Sequence, residues 1–148
     1  MELDFSLHDA QLEIYNHPAK YKVVAAGRRF GKSYYAMTEC IIEGLKRSNR
    51  YGFDLKDKDV WYIAPTFQQA RDIIWRLMKD KARPVTAKVH ENTSTITLIN
   101  GRDIKLKGSD RPDTLRGSGL GYVVLDEYAF MKPDVWDEIL YPTLADVN

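Results

Sequence analysis

The chain has a single cysteine, Cys40, so it forms no internal disulfide and no cysteine-based zinc site. No run of about eighteen apolar residues occurs, which predicts that no helix spans a membrane. The acidic start, Met1-Glu2-Leu3-Asp4, lacks the basic-then-apolar layout of a secretory signal. No internal repeat and no low-complexity segment is found. There is no strong excess of either charge: the formal net charge is +1, whereas a dedicated nucleic-acid module is usually far more basic. Short basic clusters at Lys46-Arg47, Lys79 to Arg83 and Arg102 to Lys107 read as solvated faces. What is there is 148 residues of ordinary globular composition, room for one domain with one sizeable core. A reducing, cytoplasmic setting fits such a chain.

Apolar patterning divides it into short elements. Tyr21 to Ala26 reads as a buried strand running into the loop Gly27-Arg28-Arg29-Phe30-Gly31. From Lys32 to about Arg47 the pattern is helical, with Tyr35, Met37, Ile41, Ile42 and Leu45 for the core. Val60 to Ala64 is a second buried strand, stopped by Pro65. Thr66 is a good N-cap for a helix over Phe67 to Lys81, with Ala70, Ile73, Ile74, Leu77 and Met78 facing inward. Three β-rich runs follow: Ala87 to His90, Thr95 to Ile99 and Asp103 to Lys107. The last two are joined by Asn100-Gly101, a strong hairpin signal, with Ile96, Leu98, Ile104 and Leu106 on one face. A long glycine-rich loop, Gly108 to Gly121, leads into a third buried strand, Tyr122 to Leu125, which ends in Asp126-Glu127. A short helix is predicted from Asp134 to Tyr141. This alternation predicts an α/β fold, a parallel sheet flanked by helices with an inserted β-hairpin.

Two segments carry chemistry. The window Ala26-Gly27-Arg28-Arg29-Phe30-Gly31-Lys32-Ser33 matches the second half of the P-loop pattern in full, while Ala26 stands where the first glycine belongs. Such a loop turns backbone N–H groups toward phosphate oxygens, and the following helix adds its N-terminal partial charge. Lys32 would set an ammonium against the outer phosphates, and the Ser33 hydroxyl would join a magnesium shell. One of Arg28 and Arg29 would spread the charge developing on the γ-phosphate, Arg28 being the favoured one, while the other pairs with a carboxylate.

The second segment, Tyr122 to Glu127, places two carboxylates at the carboxyl edge of a buried strand, where open α/β sheets bind ligands. Asp126 would hold magnesium directly or through water. Glu127 would orient and deprotonate the attacking water. The bland reading of each half, a chance Gly-Lys-Ser triplet and a capped helix start, weakens because the halves occur together in the right order.

With these residues in view, the chain resembles the N-terminal ATPase domain of the large terminase subunit of tailed bacteriophages. The arginine-rich phosphate loop, Leu7-His8-Asp9-Ala10-Gln11, Ala64-Pro65-Thr66 with Gln68-Gln69-Ala70, and Gly108 to Gly117 before the Asp-Glu strand carry the resemblance. It implies a P-loop ATPase with ATP and Mg2+ as ligands, powering translocation of double-stranded DNA into proheads. It also implies a homo-oligomeric ring, the portal and small terminase subunit as partners, no membrane, and the bacterial host cytoplasm. Gln11 would read the adenine edge, or be an ordinary polar residue on a short helix. Arg116 would act as an arginine finger across a subunit boundary, or pair structurally with Asp110, Asp113 or Asp126.

The family continues with a further strand carrying a coupling motif and a nuclease domain. This chain is therefore expected to be the front part of a longer protein, its sheet truncated before the last core strands, without nuclease activity. Two alternatives stay open: a helicase-like or repair ATPase, and a nucleotide-binding fragment without turnover.

Overall fold

The computed structural model describes residues 3–117 and 119–144; the Met1-Glu2 start, Ser118 of the long loop and the last residues, 145–148, lie outside them. One five-stranded sheet organises the chain, in the order β2-β3-β4-β1-β5. The strands are β1 (Asp59–Ala64), β2 (Thr86–His90), β3 (Thr95–Leu98), β4 (Asp103–Gly108) and β5 (Leu120–Leu125). β1 lies inside the sheet, next to its end, parallel to β4 on one side and to β5 on the other. β2 and β3 extend the β4 side antiparallel, so the predicted hairpin is part of the main sheet, and its second strand lies inside the parallel portion.

Both faces of β1 are covered, which is why its sequence is apolar without alternation. Val60, Tyr62 and Ala64 point into a core shared with Ile96, Leu98, Ile104 and Leu106 and with the helix residues Met37, Ile41, Ile74 and Met78. Trp61 and Ile63 point to the opposite core, closed by Leu115, Leu120, Met131, Val135 and Ile139. The first layer is supplied by α2 (Lys32–Leu45), α3 (Phe67–Ala70) and α4 (Arg76–Ala82). The second comes from a π-helical turn, Val135–Leu140, continuing into α5 (Tyr141–Leu144). α1 (Asp9–Asn16) packs near the phosphate loop.

Local chemistry sets the boundaries. Thr66 caps α3 with a full capping box, its hydroxyl accepting from Gln69 N while Gln69 Oε1 accepts from Thr66 N. Such a cap contributes about 1 kcal/mol. Gly108 ends β4 against that cap, because a Cβ there would lie 2.3 Å from the Phe67 nitrogen.

Three expectations are corrected. Residues 21–26 form no strand; no described strand pairs with this segment, although β5 at the end of the sheet has β1 as its one neighbour. It runs extended with Val23 97% exposed, tied down by Lys22 Nζ donating to the carbonyls of Ile14 and Tyr15. The helix after Thr66 is interrupted by a π-helical turn, Arg71–Trp75, which shifts the phase: Trp75 enters the core and Ile73 leaves it, 39% exposed. Arg102, expected on a solvated face, is buried. Its Nη1 donates to the carbonyls of Glu43, Gly44 and Lys46 at the end of α2, and its Nε to Lys58 O at 2.9 Å. A guanidinium is suited to that place, since it meets both the unpaired carbonyls and the negative end of the helix.

Candidate functional site

The phosphate loop is a short 3-10 turn, Arg28–Phe30, followed by Gly31 in the left-handed conformation at φ 82°. Gly31 is required by that φ, and a Cβ there would lie 2.8 Å from Gln11 Nε2 and push the Gln11 amide from its place. Gly27 has φ −65° and open space around it, so the loop places no such demand there. α2 begins at Lys32, aiming its first N–H groups at the loop mouth.

Gln11 and His8 hold this loop from outside. Gln11 is 3% exposed. Its Nε2 donates to Phe30 O at 3.3 Å and to Gly31 O at 3.0 Å, and its Oε1 accepts from His8 N at 3.0 Å. The His8 ring lies edge-on to Phe30, with Nε2 2.8 Å from Phe30 O. The His8-x-x-Gln11 spacing is that of a capping box, so one pair of side chains both starts α1 and turns two loop carbonyls outward. The amide donors of Gln11 are thereby committed to protein carbonyls.

The Lys32 ammonium donates to Ala26 O, across the loop mouth. Ser33 Oγ donates to Asp126 Oδ2 at 2.7 Å, joining the first turn of α2 to the end of β5. Tyr62, on the neighbouring strand, donates its hydroxyl to the same Oδ2, and Glu127 N donates to Oδ1 at 3.0 Å. Burial first, then the Asp126 charge, push the Tyr62 phenol up, so it keeps its proton and stays a donor. Asp126 is 8% exposed and no basic side chain pairs with it among the described residues.

Glu127 is exposed and sits at φ 58°, an uncommon conformation for a residue with a side chain. It borders a cleft of about 290 Å³ with Pro65, Gln69, Asp72, Ile73 and Phe130. The phase shift at Arg71–Trp75 is what brings Asp72 and Ile73 to this cleft.

The expected site residues are thus distributed unevenly. Gln11, Phe30 and Gly31 meet, as do Ser33, Asp126 and Glu127. Arg28 and Arg29 are exposed and make no hydrogen bond or ion pair among the described residues. Arg116, its side chain 60% exposed, has Asp113 at 3.9 Å as its ion-pair partner, and no hydrogen bond or ion pair joins it to Asp126 or to the phosphate loop. Tyr62 and His8 are additions that sequence reasoning passed over. His8 carried a signal in its capping-box spacing, whereas Tyr62 read only as an apolar strand position.

The donor set suits a hard divalent cation: a serine hydroxyl and a buried carboxylate without a cationic partner, on adjoining elements beside a phosphate-type loop.

Comparison with known proteins places the chain by sequence and fold. No protein-family model matches the chain. The large terminase subunits of Thermus phage G20c and Thermus virus P23-45 are each 32% identical over 163 residues, covering 97% of this chain. The chain spans about a third of their length, 32%. Its fold matches the large terminase ATPase domain of Thermus phage P74-26 with a TM-score of 0.79 at 31% identity, over 96% of this chain and 61% of that one. The large terminase of a further, thermophilic bacteriophage shares the fold alone, at a TM-score of 0.69 and 15% identity, over 95% of this chain and 37% of that one. The chain belongs with the nucleotide-binding ATPase domains of bacteriophage large terminase subunits.

Proposed function

We propose that this chain binds magnesium-ATP at the Gly27 to Ser33 loop and hydrolyses it, with Asp126 and Glu127 as the acidic pair. The buried Asp126, held by Ser33 and lacking any basic partner among the described residues, carries this reading. Backbone N–H groups of the loop and the start of α2 receive the phosphate oxygens. Lys32 exchanges the Ala26 carbonyl for the outer phosphates, and Ser33 Oγ with Asp126 holds the cation. Magnesium, when bound, neutralises phosphate charge. Glu127 takes the proton of the attacking water as its oxygen bonds to the γ-phosphorus, and the bond from that phosphorus to the bridging oxygen breaks to release ADP. Arg28 is assigned to the γ-phosphate, with Arg29 beside it. Arg116, exposed and beside Asp113, is assigned to a neighbouring subunit's nucleotide, with the Asp113 pairing as its alternative role.

On this reading the turnover drives double-stranded viral DNA into proheads. The protein would act as a homo-oligomeric ring with the portal and small terminase subunit, in the host cytoplasm. Among the described residues no helix is long and apolar enough to cross a membrane. Gln11 is assigned to holding the loop, because its amide already serves Phe30 and Gly31; reading adenine is its alternative role.

A second reading, nucleotide binding without turnover by this chain, draws on the unpaired segment 21–26 that leads into the loop. Phosphate release decides between them. Turnover of magnesium-ATP above a Glu127→Ala control supports hydrolysis; release no higher than that control leaves binding alone.

A further inference from the structure

We infer that Tyr62 is a positioning residue of the cation site: its hydroxyl fixes Asp126 Oδ2, so that the carboxylate meets a divalent cation in one orientation. The inference rests on the reading of Asp126 as the cation's carboxylate.

Tyr62 lies in the middle of β1, paired with Val124 of β5 and fully buried between the sheet and α2. A phenol at such a place costs desolvation unless its hydroxyl is bonded, so a phenylalanine would suit the core equally well. The Tyr62 hydroxyl donates to Asp126 Oδ2, and the one other side chain that hydrogen-bonds with it among the described residues is Ser33, which itself donates to the same Oδ2. The hydroxyl is therefore explained by the Ser33–Asp126 pair, to whose carboxylate it donates.

The other two donors to Asp126 differ in kind. Ser33 Oγ, 2.7 Å from Oδ2, is itself a cation ligand in the proposed site, and it sits on the helix that follows the phosphate loop. Glu127 N, 3.0 Å from Oδ1, belongs to a backbone turn in the left-handed region at the cleft. Both sit on the lining of the proposed nucleotide site, the start of α2 and the exposed turn at the cleft. Tyr62 is the donor that is locked by packing, on an interior strand of the sheet and shut off from solvent. Groups one layer behind a metal ligand set its orientation and are commonly worth 10–100-fold in affinity.

The test titrates Mg2+ against the 148-residue chain at a fixed, saturating concentration of a non-hydrolysable ATP analogue, reading the rise in melting temperature. The same analogue with EDTA gives the metal-free response. Tyr62→Phe is expected to raise the Mg2+ concentration at half-response about tenfold. It should leave the metal-free response and the nucleotide-free melting temperature near those of the parent. Asp126→Asn is also expected to raise the half-response, and Tyr62→Phe placed on that background should add nothing further. Tyr62→Leu, which lacks the hydroxyl and the ring, is the second variant and should give the same shift in half-response.

A half-response that moves with Asp126→Asn but not with Tyr62→Phe overturns the role of Tyr62 and leaves the cation site standing. A half-response unmoved by Asp126→Asn removes the site and the role together. A Tyr62→Phe shift that adds in full to Asp126→Asn, or an equal loss in EDTA, marks a merely structural tyrosine and overturns the inference.

Discussion

Ser33 Oγ and Asp126 Oδ2 stand 2.7 Å apart, although 93 positions separate them in the chain. That contact brings together the two segments which carry the chemistry, the start of α2 and the end of β5. It forms because α2 packs over the sheet on the face of Val60 and Tyr62, while β5 lies beside β1 in parallel register. The predictions below follow from what surrounds that contact.

Gln11 holds the loop by two hydrogen bonds to its carbonyls. Gln11→Ala should weaken ATP and GTP binding alike, by about tenfold, if each bond contributes about 1 kcal/mol and part is recovered by water. Isothermal titration with both nucleotides measures it. A loss confined to ATP would instead assign Gln11 to the adenine.

Glu127 sits in the left-handed region, where a Cβ costs about 1 kcal/mol or somewhat more. Glu127→Gly should therefore be more stable than Glu127→Ala by about 1 kcal/mol, while both lose phosphate release. Urea denaturation of the two variants checks the difference. Equal midpoints would show that the turn relaxes when the carboxylate is removed.

Arg102 ties the end of α2 to the loop before β1 through four carbonyls. Arg102→Met keeps the length of the side chain but leaves those acceptors without their donor. A loss of about 3 kcal/mol in unfolding free energy is expected. A loss under about 1 kcal/mol by denaturant titration would mean that water takes the place of the guanidinium.

Glu91 receives Lys79 Nζ at 2.7 Å and Trp75 Nε1 at 2.9 Å, with Arg71 beside it. The bond from Lys79, then that from Trp75, holds its carboxyl below the ordinary 4.5. A carboxylate lowered in the folded state stabilises above that value, and the gain is lost as pH falls through the folded value. The melting-temperature gap between the parent and Glu91→Gln should be widest above pH 4.5 and close below it. A gap that stays constant across that range would place the effect in packing.

What was legible in the sequence was mostly local. The apolar runs of β1 and β5, the Asn100-Gly101 turn and the Thr66 cap each carry their own signal within a few residues, and each lies where expected. The meeting of Ser33 and Asp126 was legible because α2 and β5 lie where the apolar patterning put them, although the strand expected before the loop is absent. What was hidden depends on distant partners. Residues 21–26 have the composition of a strand but pair with no described strand, even though β5 ends the sheet, because apolar composition does not by itself fix a pairing partner. Arg102 looked solvated because only the fold brings the end of α2 over it. The π-helical turn moves Ile73 to the cleft without any proline or glycine to announce it. Tyr62 acquires its role solely from the neighbouring strand.

The central claim is that the loop ending in Lys32-Ser33 holds the phosphates of magnesium-ATP. The direct measurement is the melting temperature of the parent chain and of Lys32→Ala, with and without magnesium-ATP. The account predicts a clear rise in the parent and none in Lys32→Ala, the two melting alike without nucleotide. A rise of equal size in Lys32→Ala would place the nucleotide elsewhere and contradict it.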